Sequence, residues 1–411
     1  MDTYRYLIIG GGVAGGKAVE GIRSVDATGT IALVTQEPHR PYHRPSLSKS
    51  YLIGKKPESE VYVASADYYP EHNVTLLTGV RAEGIDRDAQ TVTLNDGRVV
   101  KYESLLLATG GRARRLRLPG SELDHVLTLR TIENSDRIRE LAGPGKRALV
   151  LGGSFIGSEV AAGLAMLGVD VTMAFPESRL LERIVPREMS EWLHAIYAAH
   201  TIKILAGTTP QRLLGDAGVE RVELSNGATP PVDLVVMGVG IELNTELARE
   251  AGLKTREPDR AVLVDDHLRT VDPHIYAAGD IAAWKDVNFG KRLRVEHWDV
   301  ARGQGLLAGR NMAGADERYE DLPYFFSDLF DLSFEVWGDL DTCDQVVRRG
   351  DLEARNIAYY YFNEGRLVGV LAMGRPDEER EPMQALVRAR PQHRDVAKHL
   401  QDATSDLSAL A

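Results

Sequence analysis

The stretch from Tyr4 to Glu37 constrains this chain more than any other. It reads Y-R-Y-L-I-I, then Gly10-Gly11-Gly12-Val13-Ala14-Gly15-Gly16, then a helical run A-V-E-G-I-R and a second apolar run, I-A-L-V-T-Q-E. An apolar run that breaks on glycines, resumes with helical spacing and returns as another apolar run is one βαβ unit. Gly10 is expected to allow the tight turn, Gly12 to let a pyrophosphate approach the backbone, and Gly15 to let helix and strand pack closely. The first N–H groups of that helix and its positive dipole end favour phosphate charge. Glu37 ends the second strand and is placed to accept hydrogen bonds from an adenosine ribose. Three spaced glycines are a weak signal by themselves in a chain that holds 39. The flanking strand, the helix and the acidic residue at the right distance make the signal strong.

The pattern recurs. R-A-L-V-L reads as a strand, Gly152-Gly153-Ser154-Phe155-Ile156-Gly157 as the turn, S-E-V-A-A-G-L-A-M-L-G as the helix and V-D-V-T-M-A-F-P-E as the second strand. Ser154 replaces the middle glycine, which crowds the phosphate approach slightly, yet a serine is small and can donate to phosphate. Glu177 is the candidate ribose acceptor of this second unit. Arg179 and Arg183 stand nearby and keep a 2′-phosphate open, so NADH is preferred and NADPH retained as an alternative.

Between the two units, P-H-R-P-Y-H-R-P-S-L-S-K holds three prolines and reads as an ordered loop beside the first nucleotide site. Residues 51–80 form an irregular excursion that ends in a short strand. T-V-T-L-N-D-G-R-V-V-K-Y is an alternating hairpin with Asp96-Gly97 at its turn. L-L-L-A-T-G-G follows as a buried parallel strand stopping on Thr109-Gly110-Gly111. Arg112, Arg114, Arg115 and Arg117 then form either a solvated face or a small basic patch for an acidic partner or a phosphate. L-V-V-M-G-V-G, ending on Gly240, closes the middle segment much as A-T-G-G closed the first. From Val262 the chain runs into A-A-G-D at Gly279-Asp280, and this last strand is better spent completing the first sheet than starting a new one. The fold expected is therefore α/β, with two Rossmann-like dinucleotide-binding domains, the second inserted in the first, and a C-terminal α+β domain. The expected boundaries are 1–118 with 246–322, then 119–245, then 323–411. In the last segment S-F-E-V-W-G, N-I-A-Y-Y-Y-F and L-V-G-V-L-A-M read as antiparallel strands, followed by a helical tail from Glu381.

The totals narrow the class. A net charge of −11, from 49 Lys+Arg against 60 Asp+Glu, argues against nucleic-acid binding. The single cysteine, Cys343, excludes an internal disulfide, a dithiol redox centre and a cysteine-ligated iron–sulfur cluster. No run reaches the roughly 18 apolar residues of a membrane helix. No basic-then-apolar leader precedes the first strand, so a cytoplasmic protein without membrane attachment is expected.

Two dinucleotide sites and a returning strand with A-A-G-D resemble the two-dinucleotide-binding-domain flavoproteins of the pyridine nucleotide–disulfide oxidoreductase superfamily. Within it the chain is most similar to the NAD(P)H-dependent ferredoxin, rubredoxin and putidaredoxin reductases and the apoptosis-inducing factor oxidoreductases. The resemblance implies FAD in the first unit, at Gly10, Gly12, Gly15 and Glu37. Arg44 and Lys49 in H-R-P-S-L-S-K match that subgroup's R-P-P-L-S-K, and Thr109-Gly110 and Gly279-Asp280 match its FAD contacts, with the Asp280 carboxylate on the ribityl chain. Phe155-Ile156-Gly157-Ser158-Glu159 resembles its turn over the nicotinamide. Glu159 would face the flavin and pair with Lys49, a lysine that stabilises negative charge as the reduced ring forms. F-P-E at 175–177, V-E-H-W-D at 295–299 and F-F-S-D-L at 325–329 resemble the apoptosis-inducing factor group. By that match Glu296, His297 and Trp298 border the flavin, while Phe325 and Phe326 line the nicotinamide side. For these aromatics a plain core role stays open. No metal site is expected.

Disulfide reductases of the superfamily carry a C-x4-C pair just after the first βαβ unit. Here the loop 36–52 has no cysteine, and Ser48 and Lys49 stand near those positions. The resemblance thus implies an FAD enzyme in which NADH passes hydride to flavin N5. Single electrons then leave to a ferredoxin- or rubredoxin-like carrier, or to a quinone or dye. Two alternatives stay open: an NADH-sensing, dimerising flavoprotein, and a hydrogen-peroxide-forming NADH oxidase.

Overall fold

Tyr6, Leu7, Ile8 and Ile9 are all at least 95% buried, as four consecutive apolar residues must be when a strand is covered on both faces. They close the strand β1 (Asp2–Ile9), which leads into the helix α1 (Val13–Arg23) and the wholly buried strand β2 (Ile31–Thr35). The computed structural model describes residues 1–410 and divides into two units. The first comprises Met1–Arg44, Glu58–Arg112 and Glu242–Pro323; the second comprises Pro45–Pro57, Ala113–Ile241 and the chain from Tyr324 on.

The first unit is built on a seven-stranded sheet. Besides β1 and β2 it contains β3 (Val74–Thr78), β4 (Ala82–Asp86), β5 (Thr91–Leu94) and β6 (Val99–Leu107), in the order β3-β2-β1-β6-β5-β4. The hairpin expected at Asp96-Gly97 is present, with Thr91 opposite Lys101 and Gly97 at φ +85°. Its second arm and the buried parallel strand turn out to be one element, β6. The first half of β6 alternates in burial against β5, and the second half is buried between neighbours on both sides. The seventh strand, Ile275–Ala277, pairs in parallel with Leu105–Leu107 of β6. The sheet is thus completed by a strand that follows the inserted segment in sequence.

The helix Trp298–Met312 packs on α1 through small residues. A Cβ on Gly305 would lie 2.2 Å from Ala14 O, and one on Gly309 would lie 2.2 Å from Ala18 O. Only glycine lets two helix backbones approach this closely.

The second unit holds two sheets. Five parallel strands run in the order Lys203–Ala206, Asp170–Phe175, Arg147–Leu151, Leu234–Met237 and Val126–Thr128, with the helix Phe155–Met166 joining the third to the second. The C-terminal sheet is antiparallel, in the order Tyr324–Leu329, Leu332–Gly338, Arg366–Met373, Asn356–Asn363 and Gln345–Asp351. Two of these strands, Tyr324–Leu329 and Gln345–Asp351, join the three that the sequence pattern singled out. Helices Arg380–Ala389 and His393–Gln401 follow. Arg349, only 2% exposed, donates to Glu379 Oε1 at 2.9 Å, to Ala403 O at 3.1 Å, to Ser405 O at 2.9 Å and to Asp402 O. One guanidinium therefore fastens the end of the chain to the sheet. Among the described residues no helix is long and apolar enough to cross a membrane.

Candidate functional site

In the mixed sheet of the first unit and the parallel sheet of the second, the glycine turn sits where the strand order reverses, the place at which open α/β sheets bind ligands. In the first unit Ile9 and Leu107 are register partners at the carboxyl ends of β1 and β6. Gly10, at φ +131°, follows directly, and a Cβ on it would meet Ala108 O at 2.0 Å. A Cβ on Gly15 would meet Gly10 O at 2.0 Å. Gly12, the N-cap of α1, differs from both: nothing lies within 4 Å of the Cβ it lacks. Two glycines are thus demanded by the fold, while the third faces space that a dinucleotide pyrophosphate can fill beside the free N–H groups of α1.

The Glu37 carboxylate is held by two neighbours. Tyr42 Oη donates to Oε2 at 2.5 Å, Arg44 Nη2 donates to Oε1 at 2.6 Å, and Arg44 Nη1 donates to Tyr42 Oη at 2.7 Å. A carboxylate has about four acceptor sites, so this arrangement orients Glu37 and leaves capacity for ribose hydroxyls. Thr109 Oγ1 donates to Asn244 O at 2.6 Å, and Gly110 beside it adopts φ +59°.

Gly279, at φ +76°, opens the short turn Gly279–Ile281 that carries Asp280. Its N–H donates to Oε1 of the fully buried Gln304 at 2.9 Å. Gln304 Nε2 has no hydrogen-bond partner among the described residues, the kind of orphan that a polar ligand or water satisfies.

Glu296 accepts from Arg294 at 2.6 Å, and His297 stands at the N-cap position of the helix that begins at Trp298, without a side-chain capping bond. The Trp298 indole N–H donates to His43 Nδ1 at 2.9 Å, tying this helix to the proline-rich loop. Burial pushes the His297 imidazole down to about 4, against the opposing pull of the Asp280 carboxylate. His297 is therefore neutral across the physiological range.

The second cradle repeats the first. Leu151 and Met237 are register partners, and Gly238 N–H donates to Leu151 O at 2.7 Å. Gly152 takes φ +124°, with its missing Cβ 2.3 Å from Gly238 O, and the missing Cβ of Gly157 lies 2.2 Å from Gly152 O. Gly153 leaves room for the ring of Phe175. Ser154 occupies the N-cap, as Gly12 does in the first cradle, and its hydroxyl makes no capping bond. Ile156, in the first turn of the helix, is 41% exposed, and Phe155 packs edge-on against Phe325 at 5.0 Å between centroids. Gly240 takes φ +94° with open space where a Cβ would stand. Glu177 lies 3.8 Å from Arg183.

Lys49 and Glu159 form the expected ion pair. Lys49 Nζ lies 2.8 Å from Glu159 Oε1, and their side chains are 14% and 4% exposed. Phe326 lies beneath the ammonium, 5.5 Å from Nζ to the ring centroid. Two residues that the sequence reasoning did not assign complete the group: Ser48 Oγ donates to Glu159 Oε2 at 2.5 Å and Ser327 Oγ donates to Oε1 at 2.7 Å. Both sit inside motifs already quoted, S-L-S-K and F-F-S-D-L, one position from Lys49 and Phe326. A buried carboxylate with three donors satisfies the condition for keeping its charge away from water.

Two members of the arginine cluster are engaged within the fold. Arg112 is bound to Glu242, Asn244 and Glu246, and Arg115 donates to Ser121 O and Val126 O. Cys343 is exposed and unpaired.

Residues 4–305 match the sequence model described as pyridine nucleotide-disulphide oxidoreductase, and residues 324–411 match the one described as reductase C-terminal. The chain is 33% identical to the ferredoxin–NAD(+) reductase component of the anthranilate 1,2-dioxygenase system of Burkholderia cepacia, over 91% of each chain. It is 32% identical to putidaredoxin reductase of Pseudomonas putida, over 94% of this chain and 92% of that one. Among solved structures, the ferredoxin reductase for the CYP199A2 system from Rhodopseudomonas palustris superposes with a TM-score of 0.92 at 32% identity, covering all of both chains.

Proposed function

The chain belongs to the pyridine nucleotide-disulphide oxidoreductase family, and from that premise we propose an FAD-dependent NAD(P)H oxidoreductase that delivers single electrons to a ferredoxin- or rubredoxin-like protein. The observation that carries this reading is the buried group on Glu159. Where thiol members of the superfamily are expected to place a cysteine pair, this chain has Ser48 and Lys49, and both are bound to one carboxylate. Such a group cannot exchange disulfides; it can fix a cation.

In this reading residues 1–118 and 246–322 hold FAD, 119–245 hold NADH, and 323–411 form an interface domain. Gly12 and the first turn of α1 receive the pyrophosphate, and Glu37, oriented by Tyr42 and Arg44, receives the ribose. Asp280 accepts from the ribityl hydroxyls. Ser154 and its helix receive the nicotinamide nucleotide, with Glu177 on its ribose. Bound FAD supplies acceptance of a hydride and release of its electrons one at a time. Lys49 contributes positive charge where negative charge develops, and Glu159, with Ser48 and Ser327, keeps that ammonium in one position. Phe155, Phe325 and Phe326 exclude water and offer flat apolar surface. The carrier is a small iron–sulfur or rubredoxin-type protein, and the setting is the cytoplasm.

Stopped-flow mixing with NADH under argon, followed by a ferredoxin, tests this. Bleaching of the yellow protein and rapid recovery of colour on adding the carrier are the expected results. A reduced complex that persists in the presence of ferredoxins and rubredoxins would overturn the carrier assignment.

A further inference from the structure

The end of the second strand in a Rossmann unit decides whether a ribose carrying a 2′-phosphate is admitted. In the second cradle the strand Asp170–Phe175 is followed by Pro176, Glu177, Ser178, Arg179, Leu180, Leu181, Glu182 and Arg183. Three groups in this loop have the chemistry to grip a phosphate: the N–H and the hydroxyl of Ser178, and the Arg179 guanidinium. All three are turned onto Glu182. Ser178 N donates to Glu182 Oε2 at 2.8 Å, Ser178 Oγ donates to Oε1 at 2.9 Å, and Arg179 Nη1 donates to Oε1 at 2.9 Å. Arg179 Nη2 donates to Glu182 O at 3.0 Å as well. The remaining arginine, Arg183, is 86% exposed and 3.8 Å from Glu177, too far for a hydrogen bond.

Resting on the reading that the second cradle binds the nicotinamide nucleotide, we propose that Glu182 is a specificity-determining residue: it occupies Ser178 and Arg179 and so withholds the loop's phosphate-binding groups. The site then takes the unphosphorylated nucleotide although two arginines stand beside it. Glu177 alone repels a 2′-phosphate by its charge. Glu182 adds a second negative charge and engages Ser178 and Arg179, which leaves only the solvent-exposed Arg183 to offset the first. Its carboxyl is held below the ordinary range, first by the Ser178 N–H, then by the Ser178 hydroxyl and Arg179, so the clasp persists at neutral pH.

Glu182 is not what folds the loop. Leu181 N donates to Gly153 O at 2.8 Å, Leu180 N donates to His194 Nε2 at 3.0 Å, and Ser190 Oγ donates to Leu180 O at 2.5 Å. Leu180 and Leu181 are buried. Neutralising Glu182 therefore weakens the hold on Arg179, which keeps its bond to the residue 182 carbonyl, within a loop that stays anchored.

Titration calorimetry of the FAD-loaded protein with 5′-AMP and with adenosine 2′,5′-bisphosphate tests this apart from turnover. In Glu182→Gln the affinity ratio of the bisphosphate over 5′-AMP should rise about tenfold, the worth of a charge-assisted hydrogen bond regained. Adding Arg179→Gln should remove that gain. An unchanged ratio in Glu182→Gln, or a gain that survives loss of Arg179, overturns the inference. A native protein that binds neither 5′-AMP nor NAD+ overturns the cradle assignment itself, and the inference with it.

Discussion

Ser327 Oγ donates to Glu159 Oε1 at 2.7 Å, a buried bond between residues 168 positions apart in the chain. It joins the first strand of the C-terminal sheet to the helix of the second glycine cradle. With Ser48 on the other oxygen, it leaves Lys49 as one of three donors rather than the sole neutraliser of that carboxylate.

Removing both hydroxyls, in Ser48→Ala with Ser327→Ala, takes two of the three donors from the buried Glu159 carboxylate and loosens its hold on Lys49. The rate of flavin reduction by NADH should fall severalfold, and the melting temperature should fall with it. Stopped-flow reduction and a thermal melt check this. An unchanged reduction rate, with only the melting temperature lowered, would confine the serines to a structural part.

Gly10 and Gly12 should respond oppositely to alanine. At Gly10 the new Cβ would sit 2.0 Å from a backbone oxygen at a φ of +131°, so Gly10→Ala should be poorly soluble or strongly destabilised. At Gly12 there is room, so Gly12→Ala should fold while its methyl group stands where phosphate approaches. The expected product is a well-folded protein with much reduced yellow colour and weakened FAD binding by fluorescence titration. Full retention of FAD in Gly12→Ala removes that face from the site.

His297 makes stability depend on pH with a definite sign. Its imidazole titrates at about 4 in the fold against about 6.5 in the unfolded chain. Between those values the unfolded state holds more protons, so this contribution is complete above about 6.5 and is lost as pH falls toward 4. His297→Asn should therefore show a smaller drop in urea midpoint from pH 7.5 to pH 5 than the native chain. Equal drops would contradict the assignment.

Arg349→Met should destabilise by about 3–5 kcal/mol, the range for breaking a buried, fully bonded ion pair. Glu379 keeps Arg375 at its side, which moderates the loss, while the carbonyls of residues 402, 403 and 405 lose their donor. Limited proteolysis should then clip the last turn of the chain before any other site. A native-like cleavage pattern would show that the tail is held by other means.

The architecture was legible where the signal is local. Both cradles, the hairpin and the returning strand can each be read from a window of a few dozen residues, because glycine spacing and apolar runs report nearby backbone geometry. The strand Gln345–Asp351 escaped because Q-V-V-R-R-G-D reads as surface, whereas Arg349 is buried by a charge partner and carbonyls from the chain's end. Ser48 and Ser327 escaped for a related reason. Their importance lies in contacts across 111 and 168 positions, which no window of sequence displays. The Lys49–Glu159 pair was reached only through family resemblance. Two charges 110 positions apart carry no local mark of their meeting.

The closure of the first sheet by Ile275–Ala277 on β6 has a consequence for biosynthesis. Until a nascent chain has emerged past Ala277, the inner half of β6 presents an open hydrogen-bonding edge, while every strand of the inserted parallel sheet is already outside the ribosome. A translation product cut short within the insertion would carry that edge permanently and invite pairing with other chains. The later segment thus serves as a delayed clasp on that edge.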